Sequence, residues 1–473
     1  MILRLVLAEL RHRPGRALFL LAGYSLGVAV MVVLLAVGEA MLEQAKDRAL
    51  VGGGDVVVVP AGISAEMLKA GGATSLFLGI DQARFVQRRI LESPRARERY
   101  GVQAASPILD SKLVVLSARG REWPGLASGE IPSRSRAVGA APELLAGSWE
   151  DADGDRAWAD PTPAQLYRQI DRFHLPTGAA AGDSTWAEWH YFNVVLDEDR
   201  WVYVSLMVGG RVGTPGEWGG RVLMTVRDAD GAHRSLTRDF ADTEVRFDTT
   251  TPALSFGGEA FVEQEDGVYR VRAAAGGASV DLRVHPDPAR YFPPASLGGA
   301  GLVSGYTVPA LYARAEGEVC LPACEEVSGA QAYHDHNWGV WRDVSWEWGA
   351  ASNERLSLLY GVVRGDSTPP DQPLFAYLVD RSGVRGLYRP REVRFPATRI
   401  AEVGGASVRI PARIEFEDPR RGLRVAIDVD AAHVTDMDRP RRRYFVQMRG
   451  VATIEEPGHP PERLPGFFET YVD

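Results

Sequence analysis

The chain has 473 residues, 45% of them hydrophobic, which is enough for two or three domains with ample cores. Its formal net charge is −9, and basic residues gather only before residue 17 and at 439–443. That balance argues against a nucleic-acid partner, whose phosphates call for a basic stripe. Fifty Gly, 30 Pro and 11 Trp favour a turn-rich β protein over one of long helices.

Residues 17–38 carry no charge. About 20 apolar residues cross a ~30 Å hydrocarbon core, so the segment predicts a single transmembrane helix. Arg4, Arg11, Arg13 and Arg16 precede it and mixed charges follow it, which predicts a cytoplasmic N-terminus. The apolar run exceeds the roughly 7–15 residues of a signal peptide, and helical patterning continues through residues 39–50, which favours an uncleaved anchor. The expected location is the inner (cytoplasmic) membrane, single-pass, with the bulk of the chain periplasmic or extracellular.

After residues 1–50 comes a small α+β segment, 51–142. Residues 52–62 read as a glycine turn and a short strand, residues 80–91 as a helix with Ala83, Phe85, Val86, Ile90 and Leu91 on its apolar side, and residues 107–117 as a strand. Residues 143–185 form a Gly-, Ala-, Asp- and Pro-rich linker with one helical candidate at 163–173. From Trp186 onward period-two strands alternate with turns: 201–208, 220–226, 268–273, 279–284, 356–363, 374–379, 407–416, 423–429 and 444–454. This rhythm predicts antiparallel hairpins closing into two tandem barrels, 186–300 and 301–473, with a seam in the Pro- and Gly-rich stretch 286–305.

The two cysteines, Cys320 and Cys324, suit a disulfide or two free thiols better than a metal pair. Two clusters carry chemistry. In Glu-Trp-His-Tyr-Phe at 188–192, a strand puts Glu188 and His190 on one face and Trp189 and Tyr191 on the other. In Tyr-His-Asp-His-Asn-Trp-Gly at 333–339, Tyr333, Asp335 and Asn337 share one face while His334, His336 and Trp338 share the other. An aspartate buried among aromatic side chains is held protonated and serves as a general acid. The alternative for His-Asp-His is a metal, for which no third ligand is evident nearby; His285, His433 and His459 are unplaced. The one Gly-Xaa-Ser-Xaa-Gly match, at 23–27, lies inside the apolar span and cannot be a nucleophile elbow, and no dinucleotide-binding glycine loop follows a strand.

Two resemblances follow from these residues. The apolar helix and the segment to about residue 142 resemble the first span and early ectodomain of FtsX/MacB-type ABC transporter permeases, without the later spans of such permeases. The motifs at 188–192 and 333–339 and the ending Gly-Phe-Phe-Glu-Thr-Tyr at 466–471 resemble the family grouping hydroxyneurosporene synthase (carotenoid 1,2-hydratase) with AttH-like proteins. That family implies two lipocalin-like β-barrels and cofactor-free hydratase or cyclase chemistry on an isoprenoid or polyene. Asp335 matches the motif aspartate and Tyr333 the aromatic beside it, while His190 stands where the motif usually has Trp. The expectation is therefore a membrane-anchored, extracytoplasmic, mainly β protein. Asp335, Tyr333, His336 and His190 are its catalytic candidates, and Glu188, Trp189, Tyr191, Asn337, Trp338 and Trp341 its substrate-binding ones. No metal or cofactor is expected. The alternative is a non-catalytic carrier of hydrophobic cargo associated with ABC transporter subunits.

Overall fold

A computed structural model of the chain describes residues 14–50, 56–58, 80–92, 94–118, 121–140, 148–176, 178–197, 199–228, 231–299, 302–321, 323–341, 344–365 and 374–473. The chain divides into two units: Met1–Gly79 with Ala104–Asp151, and Ile80–Gln103 with Ala152–Asp473. In the first unit the helix Pro14–Leu50 contains the stretch Pro14–Val37, of mean hydropathy 2.5 and wholly exposed. At 1.5 Å per residue its 24 residues extend about 36 Å, long and apolar enough to cross a bilayer. The same unit holds the antiparallel hairpin β1 (Ile108–Ala118) and β2 (Arg121–Glu130), which takes up the strand expected at 107–117. The strand expected within 52–62 falls almost entirely outside the described residues.

The second unit opens with the helix Ile80–Glu92, as the apolar spacing predicts. Its body is two antiparallel sheets. The first is built from β3 (Trp186–Val195), β4 (Trp201–Gly210), β5 (Trp218–Arg227), β6 (His233–Ala241), β7 (Val245–Asp248), β8 (Ala253–Phe256), β9 (Ala260–Glu265), β10 (Val268–Ala275), β11 (Ala278–Pro286), β12 (Phe292–Gly299), β13 (Leu302–Cys320) and β14 (Cys324–Val340). The order is β6-β5-β4-β3-β14-β13-β11-β10-β9-β8-β7, with β12 on β13, and the sheet curls into a nearly closed barrel. The second is built from β15 (Val344–Ser352), β16 (Leu356–Gly365), β17 (Phe375–Asp380), β18 (Gly383–Tyr388), β19 (Arg394–Val403), β20 (Ala406–Asp418), β21 (Leu423–Asp436), β22 (Tyr444–Glu455) and β23 (Glu462–Val472). Its order is β18-β17-β16-β15-β23-β22-β21-β20-β19.

Every strand read from period-two patterning is present, and the mainly β, two-sheet organisation is the one the strand rhythm implies. The change of sheet falls elsewhere than at 286–305. Residues 302–340, counted from sequence with the second barrel, form the longest hairpin of the first sheet, and the second begins at Val344. A Pro- and Gly-rich stretch marks a turn as readily as a domain boundary. Cys320 and Cys324 are register partners at the tip of that hairpin and are disulfide-bonded.

Three apolar cores result. One fills the first sheet and includes Phe192, Val204, Met224 and Val284; another fills the second and includes Leu358, Ile427 and Phe468. The third lies between the sheets and joins Trp201, Tyr203, Tyr306 and Tyr333 to Trp348, Leu359 and Phe467. Strands β3 and β14 therefore have both faces covered. Successive side chains point to opposite faces, so each alternate residue belongs to a different core.

Candidate active site between the two sheets

Strands β3 and β14 pair with Asp335 opposite Tyr191 and His336 opposite His190. Directly opposed residues on antiparallel strands share a face. The pairing therefore collects Tyr333, Asp335, Asn337, Trp189 and Tyr191 on the seam face, and Glu188, His190, His334, His336 and Trp338 on the face inside the first sheet. Gly339 has φ of +136°, and a Cβ there would collide with Ser304, which accounts for the glycine ending the second motif.

On the seam, Asp335 is 3% exposed. Its Oδ2 accepts from the Tyr333 hydroxyl at 2.8 Å and its Oδ1 from Asn337 Nδ2 at 2.7 Å. Trp348 Nε1, from the second sheet, donates to the Tyr333 oxygen at 3.2 Å. Burial pushes the Asp335 carboxyl up to about 8; the Tyr333 hydrogen bond opposes this, and the charge of Glu469 adds to it. Glu469 reaches the same space from β23. It accepts from Tyr191 Oη at 3.0 Å, Trp346 Nε1 at 2.9 Å and Gln447 Nε2 at 3.3 Å, and burial raises its pKa.

Aromatic rings wall the seam. Phe467 lies 4.7 Å from Tyr333, and Tyr306 packs edge-on to Trp348 at 5.0 Å. At one end half-buried Trp189, Trp341, Trp346 and Tyr471 form a run with centroids 4.9–6.2 Å apart. A cavity of about 20 Å³ beside Tyr333 and Phe467, also lined by Asn193 and Arg449, has the size of a single water.

The opposite face holds a buried network that sequence reasoning assembled only in part. The helix Pro163–Ile170 is capped by Thr162 with Gln165 in a reciprocal pair of hydrogen bonds, and it buries Leu166, Tyr167 and Ile170. It stops at Asp171, whose carboxylate enters the first core. Asp171 Oδ1 receives His336 Nδ1 at 2.8 Å; Oδ2 receives Tyr269 Oη at 2.6 Å and meets His334 Nε2 at 3.0 Å. His336 Nε2 bonds Glu188 at 2.7 Å, and Glu188 also accepts the His174 backbone N–H. Burial opposes the His336 charge, but its hydrogen bonds to Asp171 and Glu188 outweigh that and hold the pKa at about 9. Burial also opposes ionisation of Asp171, but the neighbouring His334 and His190 keep it well below the usual carboxylate range. His190 is pushed well down by burial and by His336, and its Nδ1 lies 3.7 Å from Asp171 without a hydrogen bond.

These residues include metal-ligand types. The donor atoms of Asp171, His190 and His336 lie within 4.8 Å of one another, as do those of His174, Glu188 and His336. Both triads depend on His336, whose two nitrogens are each taken by a carboxylate, so an ion would have to displace a proton held from both sides. The third group, Glu318 with Cys320 and Cys324, has its sulfurs joined to each other.

The sequence-derived candidates are thus divided. Asp335, Tyr333, Asn337, Trp189, Tyr191 and Trp341 lie at the seam; His336, His190, Glu188 and Trp338 lie behind the sheet, with Trp338 stacked on His174 at 3.8 Å. His336 and His190, counted from sequence among the catalytic candidates with Asp335, thus point to the opposite face of β14 and β3 from it. His285 pairs with Glu316 and His433 with Ser235, both away from these clusters. Glu469, Trp346, Trp348 and Gln447 come from the second sheet and were missed, although Glu469 sits in the C-terminal motif. Asp171 and His174, also missed, left only an acid and an imidazole three residues apart in an apparent linker.

No protein-family model matches the chain. No curated protein matches it. Among solved structures it is similar to a putative AttH from Nitrosomonas europaea, with 18% identity over 61% of this chain and 93% of that one and a TM-score of 0.45. It is also similar to kievitone hydratase from Nectria haematococca, with 13% identity over 64% of this chain and 97% of that one and a TM-score of 0.43. CghA with Sch210972 shows 14% identity over 64% of this chain and 95% of that one, with a TM-score of 0.36. The permease-like reading of the N-terminal segment has no counterpart among these three.

Proposed function

We propose that the seam is an acid-catalytic site that adds water to, or closes a ring on, an unsaturated hydrophobic ligand without a cofactor, with Asp335 giving the proton. The observation that carries this is the Asp335 carboxyl itself: buried, bracketed by Tyr333 and Asn337, and set in an aromatic wall. Burial keeps it neutral at pH 7, where an ordinary aspartate has lost its proton. A positioned general acid contributes typically about 10²–10⁴-fold. The cation formed on protonating a C=C bond gains ~0.5–2 kcal/mol from each ring face it meets. The motif resemblance points to an isoprenoid or polyene as the substrate class, entering at the half-buried Trp189, Trp341 and Trp346 end. The test is incubation of the full chain with farnesol and linear polyenes in ¹⁸O-water, with mass detection of the label. Incorporation that Asp335→Asn abolishes supports the acid role; incorporation that persists in the variant removes it.

The helix Pro14–Leu50 adds a location. We read it as an uncleaved inner-membrane anchor holding the β unit outside the cytoplasm, in keeping with the Cys320–Cys324 disulfide, since disulfides persist in oxidising compartments. This same helix favours a second reading, a tethered carrier passing hydrophobic cargo to ABC transporter subunits. Native mass spectrometry of detergent-extracted protein separates the two, because a carrier yields its lipid unmodified and retains it in Asp335→Asn.

A further inference from the structure

We infer that Glu469 is the base partner of Asp335, receiving the proton of the attacking water through the Tyr191 hydroxyl. The inference rests on the acid-catalytic reading of the seam and adds the half of the reaction that Asp335 alone does not supply. Tyr191 is the register partner of Asp335 on the same face, and its hydroxyl donates to Glu469 Oε1 at 3.0 Å. Gln447 Nε2 donates to the Tyr191 oxygen at 3.0 Å and is itself fixed by Thr225 Oγ1 at 3.1 Å. The relay thus bridges the two sheets, with the acid on β14 and the base on β23.

Glu469 is 7% exposed, and its hydrogen-bond donors, Tyr191, Trp346 and Gln447, are all neutral. No cation forms a salt bridge to it among the described residues. A carboxylate held this way keeps its capacity to take a proton, unlike one fixed by an arginine. The other titratable groups that act on it or feel its charge are Asp335, Tyr203, Tyr333, Tyr360 and Tyr471, with Arg449 acting on Tyr203.

The step balances as follows. The Asp335 proton goes to one alkene carbon as the π pair becomes a C–H bond, and a water lone pair forms the C–O bond at the other carbon. The excess proton on that oxygen passes to Tyr191, whose own proton moves to Glu469. Alkene and water give an alcohol, and the proton on Glu469 returns to Asp335 through Tyr191 and solvent.

Two measurements test this on the full chain. Infrared difference titration follows the carboxyl bands of wild type, Asp335→Asn, Glu469→Gln and Tyr191→Phe without any substrate. The pair requires Glu469→Gln to lower the titration midpoint of Asp335, and Asp335→Asn to lower that of Glu469. Independent titration of the two bands overturns the pairing. With farnesol in ¹⁸O-water, Glu469→Gln is expected to lower the rate about 100-fold and to remove the acidic limb of the pH profile, and Tyr191→Phe to lower it about 10-fold or more. An unchanged profile in Glu469→Gln, with Asp335→Asn inactive, overturns the relay and leaves the acid intact. Full activity in Asp335→Asn instead overturns the acid reading on which the relay depends.

Discussion

Asp335 and His336 are consecutive in the chain and point to opposite faces of it. The carboxyl opens toward the seam beneath Tyr333 and Asn337, while the imidazole is sealed inside the first sheet between Asp171 and Glu188. One strand thus carries two ionisable groups, both held protonated near neutral pH, in opposite directions and for different physical reasons. Burial does it for the acid; paired carboxylates do it for the base.

The proposed acid role makes the expected rate of water addition depend on pH. Because Asp335 titrates at about 8, turnover should hold steady just below that pH and fall tenfold per unit above it. A rate that goes on rising to pH 9.5 would remove Asp335 as the donor.

His336 makes stability depend on pH. Its folded pKa of about 9 lies above the ordinary 6.5, so its contribution is complete below pH 6.5 and is lost as pH rises through 9. The full effect is roughly 3 kcal/mol. Asp335, raised from 3.8 to about 8, adds a loss of the same sign between those values. Urea unfolding of wild type, His336→Gln and Asp335→Asn from pH 6 to pH 9.5 separates the two, with each variant flattening its own part of the curve.

Removing Asp171 should harm folding more than any seam substitution. Asp171→Ala leaves Tyr269, His334 and His336 facing the space where their acceptor stood, at a cost of about 3–5 kcal/mol. A urea midpoint that moves by less than the equivalent of 1 kcal/mol would show that the network is dispensable.

The Cys320–Cys324 bond closes a loop of only a few residues. Loop-closure entropy assigns it about 2 kcal/mol. Cys320→Ser with Cys324→Ser should therefore lower the melting temperature by a few degrees and leave the seam chemistry intact. A melting temperature unchanged in the double variant would show that the tip contributes nothing to the fold.

Strand content and the division of side chains between faces were legible in the sequence because period-two alternation is a local property. Asp335, Tyr333 and Asn337 could be placed together, and apart from His334 and His336, by counting alone. What alternation does not show is which partner covers each face. The seam needs Trp348, Trp346 and Glu469 from strands that begin at 344 and 462, and no local pattern ties those to residue 335. Asp171 escaped for a different reason: it stands at the end of a helix of eight residues, where composition reads as linker and only the tertiary fold delivers the carboxylate.

The hairpin of β13 and β14 also has to resist a frameshift in space. A slip of one residue along β14 would present His336 to the aromatic wall and Asp335 to the histidines, inverting both environments at once. Three irregularities interrupt the pairing of these strands, and at their far end Cys320 is joined covalently to its register partner Cys324. The crosslink ties the far end of that hairpin in register and adds to these irregularities, which hold the phase of the strand that carries Asp335 eleven positions away.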